Sequence, residues 1–255
     1  MKPTQEYLDQ AEKLLMEVFH GYRPKLIDSF GSIQHSLKAD HSVVTKLDVE
    51  LETKIREALA DFDPGVGVEG EELGKTGSRS TFWLVDPIDG TESFIRGLPL
   101  PRNIVTLIDD GEPVYALIYR FITDEKFTAI KNQGAKKNDQ PLHVSNRPLD
   151  RAWINYSTAL DDPKHLKKFL AVKKHVHELV NMKEFVNLAT GAIEGVIWDN
   201  SAGGVWDYAP RGLLFKEAGA QVSNAGSEDF NYLDKTIIAA GPTIYPRLKQ
   251  IYEEN

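Results

Sequence analysis

The run Trp83-Leu84-Val85-Asp86-Pro87-Ile88-Asp89-Gly90-Thr91 constrains this chain more than any other stretch. Phe82 to Val85 is apolar throughout and reads as a short buried strand ended by a turn. The strand stops at an acid and a proline, and a second acid, a glycine and a hydroxyl follow. Two carboxylates at the end of a buried strand repel each other and are costly to desolvate unless positive charge sits between them. Carboxylate oxygens suit a hard divalent cation such as Mg²⁺, Mn²⁺ or Ca²⁺. Pro87 stiffens the turn, and Gly90 permits a close backbone approach or a positive φ. Thr91 to Ile95 reads as a helix opening, whose unsatisfied N–H groups favour an anion such as phosphate. Standing alone, Asp-x-x-Asp-Gly is also an ordinary acidic turn.

The whole chain narrows the choice. At 255 residues it suits one domain, or two tightly joined halves, and buries a substantial core. With no cysteine it has no disulfide, no Cys-based zinc site and no thiol nucleophile. Met1 to Arg23 carries acids and polar residues throughout, unlike a signal peptide, and no run approaches a membrane span. The 30 Lys+Arg against 38 Asp+Glu give a formal charge of −8, which argues against a general binder of nucleic acid. A small anionic substrate is still compatible, because a bound metal inverts the local field. A soluble, cytoplasmic protein is the expectation.

Residues 4–20 carry Leu8, Ala11, Leu14, Leu15, Val18 and Phe19 at helical spacing, with Thr4 as cap. Gly31 to Ser42, including Lys38, is polar and aperiodic and reads as a mobile loop of lid-like composition. A second helix follows with Leu47, Leu51, Ile55, Ala58 and Leu59 on one face and Asp48 in its first turn. Gly65-Val66-Gly67-Val68-Glu69-Gly70 spells G-x-G-x-x-G, but no buried strand precedes it, and Glu69, Glu71 and Glu72 would repel a pyrophosphate. Asn103 to Ile108, Pro113 to Tyr119 and Lys126 to Ile130 are rich in strand formers, and Asp109-Asp110-Gly111-Glu112 is a hairpin signal. Gly134 to Asn138 reads as a turn, and 162–174 as a basic helix with a solvated face. Phe185 to Ala189 continues a helix ended by Gly191, and Gly195 to Trp198 is a short strand. Gly203 to Pro210 forms a junction carrying Trp206-Asp207, with an apolar helix from about Arg211 to Ala218. Thr236 to Ala240 is a final buried strand, before a last helix bearing Ile244, Leu248 and Ile251.

Gly70-Glu71-Glu72, Asp86-Pro87-Ile88-Asp89-Gly90-Thr91 and Trp206-Asp207 occur in an order that resembles the inositol monophosphatase family of magnesium-dependent, lithium-sensitive phosphatases. Val44-Thr45-Lys46-Leu47-Asp48 upstream and Glu217-Ala218-Gly219-Ala220 downstream extend the resemblance over nearly the whole chain. It implies an α/β (α+β) layered α/β/α/β/α sandwich, of the type shared with fructose-1,6-bisphosphatase. It implies one domain over 1–255, with a metal and phosphate half near 1–135 and a substrate half near 136–255 contributing Asp207. Glu71, Asp86 and the Ile88 carbonyl would hold one Mg²⁺; Asp86, Asp89 and Asp207 a second; Glu71 with waters a weaker third. Mn²⁺ would substitute, while Ca²⁺ and Li⁺ would inhibit. Thr91 and Asp48 would orient and deprotonate the attacking water, with Glu71 also in the catalytic set. Gly90 and Thr91 N–H groups would cradle the phosphate, with Asp89, Glu92, Asn200 and Asp207 also facing the substrate. A homodimer acting on a small phosphorylated metabolite is implied, with no nucleic-acid polymer and no membrane.

The alcohol side departs from the family pattern. The position seven residues before Asp207, where the family carries an acid, holds Asn200, with Asp199 just before it. The glycine-plus-hydroxyl loop expected ahead of Asn187-Leu188-Ala189-Thr190-Gly191 is not recognisable in Val176 to Lys183. Phe94-Ile95-Arg96-Gly97-Leu98-Pro99 looks closer to the histidinol-phosphate branch. A Mg²⁺-dependent phosphomonoesterase acting on a substrate such as inositol monophosphate is the leading reading. Histidinol-phosphate phosphatase, 3′(2′),5′-bisphosphate nucleotidase and fructose-1,6-bisphosphatase activities are alternatives within the same superfamily. A structural or sensory cation-binding protein is the non-enzymatic alternative, and it has no need of both Asp48 and Thr91.

Overall fold

The computed structural model describes residues 3–37, 43–78, 80–158, 162–199 and 203–255. The chain divides into two units, Met1–Thr128 and Ala129–Asn255.

The first unit opens with α1 (Gln5–Ser29), capped by Thr4, whose side chain accepts from the Tyr7 N–H at 3.2 Å. The apolar spacing is as expected, but the helix continues past residue 20 and through Pro24. Leu26 is buried and Arg23 Nε donates to the Phe121 carbonyl, which anchors the added turns. Within the expected loop over 31–42, residues 31–37 are described and include a strand. β1 (His35–Leu37) pairs antiparallel with β2 (Val43–Thr45), while Lys38 and the residues up to 42 lie outside the described residues. Thr45 caps α2 (Lys46–Phe62), whose apolar face packs on α1 and on the strand that bears the acids.

β3 (Gly67–Gly70) and β4 (Gly74–Thr76) follow directly, so G-x-G-x-x-G opens no helix, as the dinucleotide motif would require. β5 (Thr81–Asp89) is longer than the sequence suggests. It continues through Asp86 to Asp89, with its pairing irregular between the two acids. Pro87 lacks an N–H and belongs at such a bulge, so it bends the strand instead of ending it. α3 (Thr91–Ile95) is a short helix entered through Gly90 at φ 86°. β6 (Arg102–Asp109) and β7 (Glu112–Arg120) form the expected hairpin, with Asp110 at φ 50° and Gly111 at φ 79° in its turn. β8 (Glu125–Ile130) comes next, and the strand order is β8-β7-β6-β5-β3-β4. β3 runs parallel to β5, while β5–β6 and β6–β7 are antiparallel.

In the second unit, β9 (Gly134–Lys137) and β10 (Gln140–Pro141) form a hairpin where a turn alone was expected. The turn itself is shifted to Asn138 and Asp139, both at positive φ. β11 (Trp153–Thr158), α4 (Pro163–Lys173) and β12 (Glu178–Val180) precede β13 (Gly195–Asp199). Asp162 caps α4 through the Lys164 N–H at 2.8 Å. The helix expected up to Gly191 is only a 3₁₀ turn, Phe185–Asn187. α5 (Val205–Glu217) begins well before Arg211 and carries Pro210 inside it. β14 (Gln221–Ser223), β15 (Thr236–Ala240) and α6 (Tyr245–Glu253) complete the unit. Its sheet has the order β12-β11-β13-β15-β14. Ile154, Ile197 and Ile238 share a core with Leu248, Ile251 and Tyr252 of α6 and Val172 of α4. Trp198, on the opposite face of β13, packs against Phe215 of α5.

Gly67 sits where two backbones meet: a Cβ there would lie 2.2 Å from the Ser78 carbonyl oxygen. Backbone cannot yield as a flexible side chain does, so Gly67→Ala should destabilise the fold by about 1–3 kcal/mol or more. A thermal midpoint equal to wild type would show that β3 and the 76–78 segment move apart at no cost.

Candidate active site

The site in the first unit follows from one strand pairing. β3 and β5 are parallel, with Gly70 opposite Val85. One residue further on, the Glu71 N–H donates to the Val85 carbonyl at 3.0 Å, which sets Glu71 beside Asp86. Asp86 is 2% exposed, and its carboxylate and that of Asp89 present oxygens within 4.8 Å of each other. Ile88, between them, is buried, and its carbonyl accepts from Thr91 Oγ1 at 2.9 Å.

Asp48 arrives from α2. Its Oδ2 accepts from the Thr45 N–H at 2.9 Å and from Thr45 Oγ1 at 2.6 Å, closing a capping box. Its Oδ1 lies 3.1 Å from Thr91 Oγ1, so Asp48 and the Ile88 carbonyl are alternative acceptors of that one hydroxyl proton. Burial pushes the Asp48 carboxyl above the ordinary value of 3.8, and Glu71 pushes it the same way, while the bonds from Thr45 and Thr91 oppose the shift. The pair expected to handle a proton is therefore assembled: a hydroxyl with one proton and two lone pairs against a buried carboxylate of raised basicity.

Two residues not anticipated from the sequence hold this arrangement. Glu52 is fully buried on α2, one turn after Asp48. It accepts from the backbone N–H groups of Glu72 at 2.8 Å and Leu73 at 3.1 Å, and from Arg56 Nε at 2.8 Å. It thus fixes the turn that follows Glu71. Gly70 leaves room for it, since a Cβ there would lie 2.0 Å from Glu52 Oε1. The signal was present: Asp48, Glu52 and Arg56 recur every four residues along the apolar face of α2. The second is Arg102, opposite Asp89 in the β5–β6 register, with its Nε 2.6 Å from Asp89 Oδ2.

The other expected residues divide. Glu92 forms a surface pair with Arg96 Nε at 2.5 Å, one turn along α3. Asp207 lies in the second unit, in the first turn of α5, where its Oδ2 accepts from the Gly204 N–H at 2.8 Å. Its Oδ1 accepts from Arg211 Nη2, also at 2.8 Å. Asn200 lies outside the described residues. Asp199 accepts from the Tyr252 hydroxyl and lies 3.3 Å from His165 Nε2 and 3.6 Å from Lys168 Nζ. It is held toward α4 and α6, on the face of β13 opposite Trp198. Burial and Asp199 together push the Tyr252 hydroxyl far above its ordinary value, so the tyrosine keeps its proton.

Carboxylate oxygens set close together suit a hard cation, and the hydroxyl–carboxylate pair beside them suits proton transfer. The family model described as "Inositol monophosphatase family" matches residues 4–254. An inositol-1-monophosphatase of Rhizobium meliloti is 33% identical over 215 residues, covering 78% of this chain and 80% of that protein. A protein of Neisseria meningitidis serogroup B named putative Nus factor SuhB is 28% identical over 231 residues, covering 86% and 88%. The crystal structure of the extragenic suppressor protein SuhB from Bartonella henselae superposes with a TM-score of 0.85 at 27% identity, covering 96% and 98%. The chain belongs to the inositol monophosphatase family. It has the mixed α/β fold of that family and is a phosphoric monoester hydrolase.

Glu52→Ala leaves Arg56 and two N–H groups without their carboxylate. Breaking a buried pair from one side costs about 3–5 kcal/mol, so urea unfolding should shift to lower concentration. Glu52→Gln keeps the shape and should lose less. Equal unfolding of wild type and Glu52→Ala would remove Glu52 from its holding role.

Proposed function

We propose that this protein hydrolyses a small phosphorylated alcohol, such as an inositol monophosphate, in a Mg²⁺-dependent reaction, as a single domain spanning the chain. The observation that carries the proposal is the Thr91 hydroxyl, set between Asp48 and the Ile88 carbonyl, two residues after Asp89 and five after Asp86. A structural cation site has no use for a buried base, so the enzymatic reading is preferred to a sensory one.

The donor set fits a hard divalent cation: carboxylates of Glu71 and Asp86 and the Ile88 carbonyl are all oxygen, and Asp86 is buried. These residues would hold one ion, and Asp86, Asp89 and Asp207 are the candidates for a second by family resemblance, with a weaker third at Glu71. Bound divalent cations would offset the charge of the phosphate dianion and supply Lewis acidity. Asp48 accepts the proton of Thr91 Oγ1, and that oxygen in turn offers a lone pair to a proton of the attacking water. Positioning and proton transfer are thus combined in two side chains. The backbone N–H groups of Gly90 and Thr91 supply donors to phosphate oxygens, while Glu92 and Asn200 are candidates for the alcohol side. The acidic net charge supports a small metabolite as substrate in preference to a nucleic-acid polymer. A cytoplasmic homodimer is the state implied by the resemblance. Phosphate release from inositol 1-phosphate, histidinol phosphate, adenosine 3′,5′-bisphosphate and fructose 1,6-bisphosphate would identify the alcohol.

Turnover should vanish in excess chelator and return with Mg²⁺, with Mn²⁺ a substitute and Ca²⁺ and Li⁺ inhibitory. Asp86→Asn should lower rate and metal affinity together and be the most damaging ligand change. Full turnover in chelator, or wild-type rate of Asp86→Asn at limiting Mg²⁺, contradicts the assignment.

Asp48→Asn should lower kcat by about 10²–10⁴-fold with little change in KM. Because the Asp48 carboxyl is raised above 3.8, protonation disables the base as pH falls through that raised value. The wild-type rate should therefore decline on the acid side above the ordinary carboxylate range, and Asp48→Asn should lose that limb. A rise in KM at constant kcat would make Asp48 a binding residue.

A further inference from the structure

The G-x-G-x-x-G run, which opens no helix, borders a cavity. The cavity measures about 420 Å³ and lies wholly within the first unit. Its wall is formed by Tyr7 of α1, by Asp63 and Val66 between α2 and β3, and by Ser78, Ser80 and Thr81 on the approach to β5. It lies at the starts of β3 and β5, whereas the acids stand toward the other ends of the same strands. Thr81 is five residues before Asp86, about 17 Å along β5. Gly67 lets the 76–78 segment pass in backbone contact, which fixes the Ser78 side of the wall.

The wall is rich in acceptors. Among the described residues that form it, Asp63 carries the charge. Burial and the charge of Asp63 push the Tyr7 hydroxyl up to about 12, so Tyr7 stays neutral. The Thr81 hydroxyl gives its one proton to Asp109 Oδ1 at 2.7 Å, and the Ser78 and Ser80 oxygens share a proton across 3.3 Å. These oxygens have lone pairs left to offer a ligand. A phosphate is poorly served here. The Gly65 N–H already donates to Asp63 Oδ1 at 3.0 Å, the Val66 N–H donates to the Asp63 carbonyl at 3.2 Å, and the carboxylate repels an anion. A bare metal ion is poorly served too, because hard cations take six or more oxygens, and part of this wall is apolar. Pro3 and Val66 belong to that part, with Tyr7, whose ring packs 5.0 Å from that of Phe62.

We propose that this cavity binds a small organic ammonium. Its N–H donors meet Asp63 and the neighbouring hydroxyl oxygens, and its hydrocarbon stem lies against Pro3, Val66 and Tyr7. An ammonium has three donors and no acceptor, which matches this wall, and an aromatic neighbour favours a cation. The bound molecule touches α1, the end of α2 and the starts of β3 and β5, so its binding stabilises the first unit.

The test is calorimetric titration of the whole protein with benzylammonium at fixed ionic strength and with Mg²⁺ present. Benzyl alcohol and benzoate are the neutral and anionic controls. Wild type should bind benzylammonium saturably, with a raised thermal midpoint, and benzyl alcohol at least about 10-fold more weakly, the effect of one charge-assisted contact. Benzoate should not bind. Asp63→Asn keeps an acceptor for the Gly65 N–H and should weaken benzylammonium about 10-fold. Ser80 is exposed, so Ser80→Lys should fold, and it brings an ammonium of the chain itself to the same wall and should abolish binding. Asp86→Asn, which alters the acid cluster, should bind the probe as wild type does. No saturable binding by wild type, equal binding of benzyl alcohol, or unchanged affinity in both Asp63→Asn and Ser80→Lys would overturn the proposal. Loss of binding in Asp86→Asn would place the ammonium on the acid cluster and overturn it as well.

Discussion

Burying one carboxylate near another is unfavourable, yet Asp48, Glu52 and Asp86 are all buried in the first 128 residues, with Asp89 close by. The structure answers each of these charges differently. Glu52 meets an arginine and two backbone donors. Asp48 meets a threonine that donates through both its amide and its hydroxyl. Asp89 meets Arg102 across the sheet. Asp86 and Glu71 are set side by side by the parallel β3–β5 pair.

That arrangement explains why the backbone is irregular where it is. The bulge in β5 re-aims the strand between Asp86 and Asp89, and its proline has no N–H to leave unbonded. Gly90 takes a left-handed conformation that lets the chain reverse directly into α3, placing Thr91 against Asp48. Gly70 removes the one side chain that would collide with Glu52. Each departure from regular geometry serves the placement of an oxygen.

Much of this was legible along the chain because it depends on local physics. The Thr4 cap, the Asp110-Gly111 turn and the apolar faces of α1 and α2 are set by neighbours in sequence, and they occur where expected. Elements that residue type alone does not decide differ from the expectation. Gly134 to Asn138 reads as a turn by composition, but Lys136 and Lys137 pair across Asn138-Asp139 with Pro141 and Gln140. Gly203 to Pro210 reads as a junction because glycine and proline disfavour helix, yet α5 starts at Val205, where Asp207 caps it through Gly204. Phe185 to Asn187 makes only a 3₁₀ turn, although its residues suit a longer helix.

The sequence by itself determined the chemistry that is available: which acids, which hydroxyl, in what order, and with no cysteine to offer another route. Ordered motifs carry that information because each one encodes a local turn and its side chains together. Only the tertiary structure decided which charge faces which. Arg102 on Asp89, Glu52 under the Glu71 turn, and Asp199 turned toward Tyr252, His165 and Lys168 all join residues through strand register or packing. Coulombic and hydrogen-bond energies fall off over a few ångströms, so these pairings do not exist for the chain until the fold has brought the partners together.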